Sequence, residues 1–180
     1  MGTWRKAIVV MGVTAVALLL LWWIVTAYGA RGVISAFLIN WLAMSWAAIA
    51  GQAVRFRLPQ EHYRLRAFEQ DGRIYECLGV RLFKMLVRHG PLAILSPTLR
   101  MPAQRTVPAL RALEGEMETT EAAHMIVFIL MTLAALAALL KGWLDASLWV
   151  MVFNILLNGY PVLLQRYNRV LLRALIATQG

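Results

Sequence analysis

Polar and apolar residues in this chain separate into blocks. Four apolar runs, roughly residues 7–28, 33–54, 122–140 and 143–164, are each long enough to cross a bilayer as a helix at about 1.5 Å per residue. Short loops near Arg31 and Lys141 join the first run to the second and the third to the fourth. The long stretch between the two pairs, about 55–121, is polar but patterned. Asp71-Gly72 is a turn signal. After it Ile74, Leu78, Leu82, Met85 and Leu86 recur at helical spacing, and Arg73, Arg81, Lys84 and Arg88 fall largely on the other face. That predicts a helix over 74–88 lying among lipid headgroups. Its basic residues would snorkel to phosphates or receive an anionic headgroup or a phosphorylated donor. Gly90-Pro91 should end it. "PLAILSPTLRMP", residues 91–102, is too short to span. It reads as a re-entrant or interface-lying segment, or as a loop packed on the bundle. The predicted fold is all-α: one integral membrane domain over 1–180 with four transmembrane helices and a cytoplasmic interfacial helical segment.

Composition agrees. The chain is 61% hydrophobic with a mean hydropathy of +0.64, too apolar for a soluble domain of this length. Arg5 and Lys6 precede the first run as they would in a signal peptide. Its apolar core of about 22 residues exceeds the usual 7–15, so it is read as a true span. Sixteen of the eighteen Lys and Arg residues lie before the first run, within 55–121 or after the fourth run; Arg31 and Lys141 do not. The positive-inside rule then puts both termini and the long connection in the cytoplasm of a bacterial membrane. Topology and anionic lipid account for the +9 charge, so a nucleic-acid partner is not expected. A single cysteine, Cys77, excludes an intrachain disulfide.

The fourth run ends in "NGYPVLLQRYNRVLLR", residues 158–173. With Asn154 at 0° on a helix, Asn158 falls near 40°, Pro161 near −20°, Gln165 near 20°, Asn168 near −40° and Arg169 near 60°, at about 100° per residue. These side chains form one polar stripe, which lipid would leave unpaired. Gly159 and Pro161 can bend the helix and free the carbonyl of Leu157. A packing seam would account for two asparagines; five polar positions point instead to a cleft open to the cytoplasm.

The third run is entered through "EGEMETTEAAHMIVF". Glu118, Glu121 and His124 are spaced three apart and share one side of a helix, and Glu116 lies about 80° from His124. A carboxylate one turn away can fix the tautomer of His124 and make it a general base toward a hydroxyl. The plainer alternative is acidic residues complementing a helix dipole, with His124 as an interfacial anchor. Two carboxylates and one histidine, without a second histidine box, make a poor metal set. Neither a metal nor another cofactor is expected. The polar stripe is the natural partner of the Glu121/His124 face.

The acidic run and His124, followed by Asn158, Pro161, Gln165, Arg166, Tyr167, Asn168 and Arg169, resemble the glycosyl-4,4'-diaponeurosporenoate acyltransferase family. "FEQDGRIYECLGVRLFK" is also similar to that family's segment, through Gly72, Arg73, Tyr75, Glu76 and Lys84. The resemblance covers roughly 68–170. It implies transfer of a fatty acyl group from a donor such as acyl-CoA to a sugar hydroxyl of a carotenoid glycoside or glycolipid embedded in membrane lipid. On this reading His124 is the base, and Glu121, Glu118 or Glu116 orients it. Asn154, Asn158, Gln165, Arg166, Tyr167, Asn168 and Arg169, with Arg73, Tyr75 and Glu76, bind substrate. Arg166 and Arg169 would neutralise a donor phosphate or the oxyanion. No G-x-S-x-G, P-loop or Ser-His-Asp constellation is present, which favours direct attack by the acceptor hydroxyl over a covalent acyl-enzyme. The rival reading is a non-catalytic accessory subunit that binds pigment or lipid and has other membrane subunits as partners.

Overall fold

The computed structural model describes residues 2–89 and 106–179. They form seven α-helices joined by turns, with no strand among the described residues. Helix α1 is Thr3–Tyr28 and α2 is Val33–Ala53; two 3₁₀ turns follow, Gln60–Tyr63 and Ala67–Glu69. Next come α3 (Arg73–Cys77), α4 (Val80–His89), α5 (Val107–Leu140), α6 (Leu144–Asn154), a π turn over Ile155–Gly159, and α7 (Tyr160–Ala177). Thr3–Tyr28, Val33–Ala53, Val107–Leu140 and Leu144–Ala177 are long and apolar enough to cross a membrane. The protein is therefore an all-α membrane protein with four candidate spans. The expected segment at 91–102 lies outside the described residues.

Two boundaries differ from the sequence reading. α5 begins at Val107 rather than near 122, because Leu110, Leu113 and Met117 repeat at helical spacing and pack on Leu172, Leu175 and Ile176. The expected 74–88 helix is two helices, broken between Cys77 and Val80. Gly79, at φ 76°, turns the chain through the left-handed region open to glycine. Gly72, at φ 72°, starts α3 with Tyr167 packed over it: a Cβ there would lie 3.1 Å from that ring.

The chain divides into two compact units. One comprises Met1–Phe56 and Ala123–Gly159; the other comprises Arg57–Ala122 and Tyr160–Gly180. In the first, α1, α2, the C-terminal part of α5 and α6 carry the long apolar runs. Small residues let its helices approach, with Ala36, Ala47, Val127, Met131, Ala135 and Val150 at the centre. Polar groups inside it are paired, as a lipid setting requires: the Asn40 amide donates to the carbonyls of Ala36 and Val150, and the Trp46 indole donates to Thr14. Arg31 donates to Asp145 at 3.0 Å, tying the first hairpin loop to the start of α6. In the second unit Tyr75, Val80, Leu164, Tyr167 and Val170 form a core between α3, α4 and α7.

Candidate functional site

The second unit is organised around a buried ionic cluster. α7 supplies Arg166 and Arg169, three residues apart and so on neighbouring faces of one turn. α5 supplies Glu121, and the 3₁₀ turns supply His62, Tyr63 and Glu69. Glu121 and Arg169 have no solvent exposure. One Glu121 oxygen accepts from Arg169 Nη2 at 2.8 Å. The other takes Arg166 Nη1 at 3.1 Å and lies 2.9 Å from His62 Nε2. Arg166 also forks onto Glu69, with both bonds at 2.9 Å, and Arg169 donates to the Tyr63 carbonyl at 2.9 Å. Two guanidiniums thus face two buried carboxylates, with Glu118 3.6 Å from Arg169 at the edge. Charge-assisted pairs of this kind, the Arg166–Glu69 one bidentate, are what make burying four charges tolerable.

Glu69 ties the cluster to its surroundings. It accepts the Arg66 backbone N–H at 2.7 Å and the Tyr75 hydroxyl. Burial alone would raise its carboxyl, but Tyr75, the Arg66 amide and Arg166 together hold it below its ordinary value. Burial and the adjoining carboxylate push Tyr75 up to about 12, so the phenol stays protonated and keeps donating.

A second polar group sits where α4 meets α7. Tyr167 donates to Glu76 at 2.8 Å, and Arg81 lies 3.5 Å from the same carboxylate. Lys84 donates to the Asn168 side-chain oxygen at 2.7 Å, with its ammonium 5.5 Å from the centre of the Tyr167 ring. Burial first, and the charge of Arg88 second, lower the Lys84 ammonium from its ordinary value. The Asn168 Nδ2 is buried and has no hydrogen-bond partner among the described residues.

In the first unit, His124 is held by a chain of amides. Asn154 Nδ2 donates to the Phe128 carbonyl at 2.9 Å and to Thr132 at 3.1 Å. A backbone carbonyl can only accept, so this fixes the Asn154 amide, and its oxygen takes the Asn158 Nδ2 at 3.0 Å. The Asn158 oxygen is then left for His124 Nδ1, at 3.4 Å. The Leu157 carbonyl lies four residues before Pro161, which has no N–H to satisfy it. Where a bend is expected at Gly159 and Pro161, Ile155–Gly159 forms a π turn just before α7.

Asn154, Asn158, Gln165, Asn168 and Arg169 are all buried, as the stripe requires. Asn158 meets His124, while Arg166 and Arg169 meet Glu121. Glu121 spends its oxygens on His62 and the two arginines rather than on ordering His124, whose Nδ1 partner is Asn158. Arg166 and Arg169 are likewise committed to carboxylates. Tyr75 joins the cluster through Glu69, and Glu76 joins Tyr167. Arg73 is an exposed residue beside Asp71, and Glu116 is exposed on α5. Sequence reasoning missed Glu69 and passed over His62. Nothing local marks either one: their partners are 97 residues away in the case of Glu69 and Arg166 and 59 for His62 and Glu121. Among the described residues no three His, Cys, Asp or Glu side chains are grouped to hold a metal ion.

No curated protein and no solved structure matches this chain. A family model does, over residues 59–178, a stretch that contains the whole ionic cluster as well as His124 and its amide chain. By that match the chain belongs to the glycosyl-4,4'-diaponeurosporenoate acyltransferase family.

Proposed function

We propose that this protein moves a fatty acyl group from an activated donor such as acyl-CoA onto a sugar hydroxyl of a carotenoid glycoside or related glycolipid. It works in a bacterial cytoplasmic membrane with both termini and the 55–121 connection on the cytoplasmic side. Family membership supports an acyl transfer to a carotenoid glycoside. The observation that carries the mechanism is the amide chain ending on His124. A neutral imidazole has one N–H, and the Asn158 oxygen draws it to Nδ1. Nε2 then holds the lone pair and is the base. It takes the proton of the acceptor hydroxyl as that oxygen attacks the acyl carbonyl carbon. The tetrahedral adduct collapses with loss of the donor's thiolate, and the imidazolium returns its proton to solvent or to that thiolate. Asn158 and Asn154 are positioning residues. Glu121, Arg166, Arg169 and Glu69 form the rigid ionic frame of the other unit, with their charges satisfied among themselves.

The test is purified protein with acyl-CoA and a glycosylated carotenoid, the ester being read by mass spectrometry. The wild type forms the ester, and His124→Ala loses about 10²–10⁴ in rate, the usual worth of general base help. Asn158→Leu loses rate in the same direction. If the loss follows His62→Ala and spares His124→Ala, the base is the other imidazole and the His124 assignment is wrong. A wild-type protein that forms no ester favours the accessory-subunit reading.

A further inference from the structure

We propose that Lys84 and Asn168 form a phosphate-binding subsite on the second unit, at the junction of α4 and α7. Lys84 is only partly exposed, and it makes no ion pair: among the described residues no carboxylate lies within 4.0 Å of its ammonium. The acidic side chain of that polar group, Glu76, is engaged by Tyr167 and Arg81. The partners of Lys84 are a neutral amide oxygen and an aromatic face. Neither neutralises a charge, and Arg88, one helical turn on, adds a second positive charge.

The Asn168 amide supplies the independent observation. An ammonium has only donors, so the atom facing Lys84 has to be the oxygen; turning the amide over would set donor against donor. That leaves Nδ2, on a residue only 5% exposed, without an acceptor among the described residues. A surplus cation and an orphaned N–H therefore flank the same amide. The group that completes both is an anion with at least two acceptor oxygens, and a phosphate supplies them. Residues 90–105 contain no Asp or Glu that could take its place. Such a phosphate comes from one of two sources, the nucleotide portion of an acyl-CoA donor or the headgroup of an anionic lipid. Assigning it to the donor rests on the acyltransferase reading; the subsite itself does not.

The experiment uses the full chain in nanodiscs of zwitterionic lipid. Free coenzyme A is titrated by calorimetry, and dioleoylphosphatidylglycerol binding is measured separately by native mass spectrometry. Lys84→Gln and Asn168→Leu should each weaken one of these ligands by tenfold or more, with Lys84→Arg retaining more affinity than Lys84→Gln. Loss confined to coenzyme A identifies the donor's phosphate, and loss confined to phosphatidylglycerol identifies a headgroup. Wild-type binding of both ligands by Lys84→Gln, with an unchanged melting temperature, overturns the subsite. Should Lys84→Gln misfold, Lys84→Arg and Asn168→Asp still decide it, since a second anion beside Lys84 must repel the ligand. A wild type that binds coenzyme A yet forms no ester removes the acyltransferase reading and leaves the subsite standing.

Discussion

At the level of single residues, the ionic cluster sets the terms. Arg169 has no exposure and reaches both Glu121 and the Tyr63 carbonyl through different nitrogens. A lysine there presents one point donor in place of a planar fork. Arg169→Lys should therefore destabilise the protein, and Arg169→Met more so, by about 3–5 kcal/mol for a broken buried pair. Pairing Arg169→Met with Glu121→Gln should recover part of that loss, because the second change removes the negative charge from the buried oxygen that has lost its donor. Melting temperatures in detergent for the four members of the cycle measure it, and strict additivity would show that the two side chains are not coupled. Glu69 gives the cluster a pH dependence whose sign is fixed. Its folded carboxyl lies below the ordinary value of 4.5, so its contribution is complete above that value. The contribution is lost as pH falls through the folded one. Wild type should then lose stability faster on acidification than Glu69→Gln, which starts lower but lacks this titration. Parallel curves for the two proteins between neutral and acid pH would remove Glu69 as the source.

At the level of elements, what was legible depended on whether the signal was local. The first two spans follow from run length alone. The polar stripe of the fourth follows from helical phase, and Asn154, Asn158, Asn168 and Arg169 are buried as that phase demands. The true start of α5 was hidden because Glu114, Glu116, Glu118 and Glu121 lower the hydropathy of a stretch whose periodicity, Leu110, Leu113, Met117, is nonetheless helical. Partner choice was not legible at all: no spacing rule links Glu69 to Arg166 or His62 to Glu121, since those contacts are made by the fold. α3 and α4 leave a testable face. Ile74, Leu78, Leu82, Met85 and Leu86 are all exposed, and Arg81 and Arg88 lie close by in sequence. Val80 and Val87 turn inward. An apolar row of this kind beside arginines suits the headgroup–acyl boundary. With Cys77 replaced by Ala, a nitrobenzoxadiazole dye on Leu82→Cys or Met85→Cys should emit blue-shifted in bilayers and be quenched by shallow lipid-borne quenchers. The same dye on Arg73→Cys should emit as in water. Identical water-like spectra at all three sites would mean that this face is covered by neither lipid nor protein.

At the level of the whole molecule, the distribution of charge and the four spans make one claim that the native chain can test unaided. Sixteen of eighteen basic residues belong to segments that a four-span topology puts on one side, and Arg31 and Lys141 to the two that it puts on the other. The Arg31–Asp145 ion pair is consistent with this, since it brings together the loop after α1 and the residues just after the loop at Lys141. The positive-inside rule predicts that the segment bearing α3 and α4 is cytoplasmic. That segment carries the protein's single cysteine, Cys77, and its side chain is exposed. A membrane-impermeant maleimide should therefore leave Cys77 unmodified in intact spheroplasts and label it in inverted vesicles. Arg31→Cys in a Cys77→Ala background should behave in the opposite way. A thiol buried in lipid would escape both treatments, so labelling after detergent lysis serves as the reference for reactivity. Labelling of Cys77 from outside would invert the whole arrangement. The Lys84 subsite would then face away from the cytosolic supply of acyl-CoA, and a donor carried in the membrane itself would have to take its place.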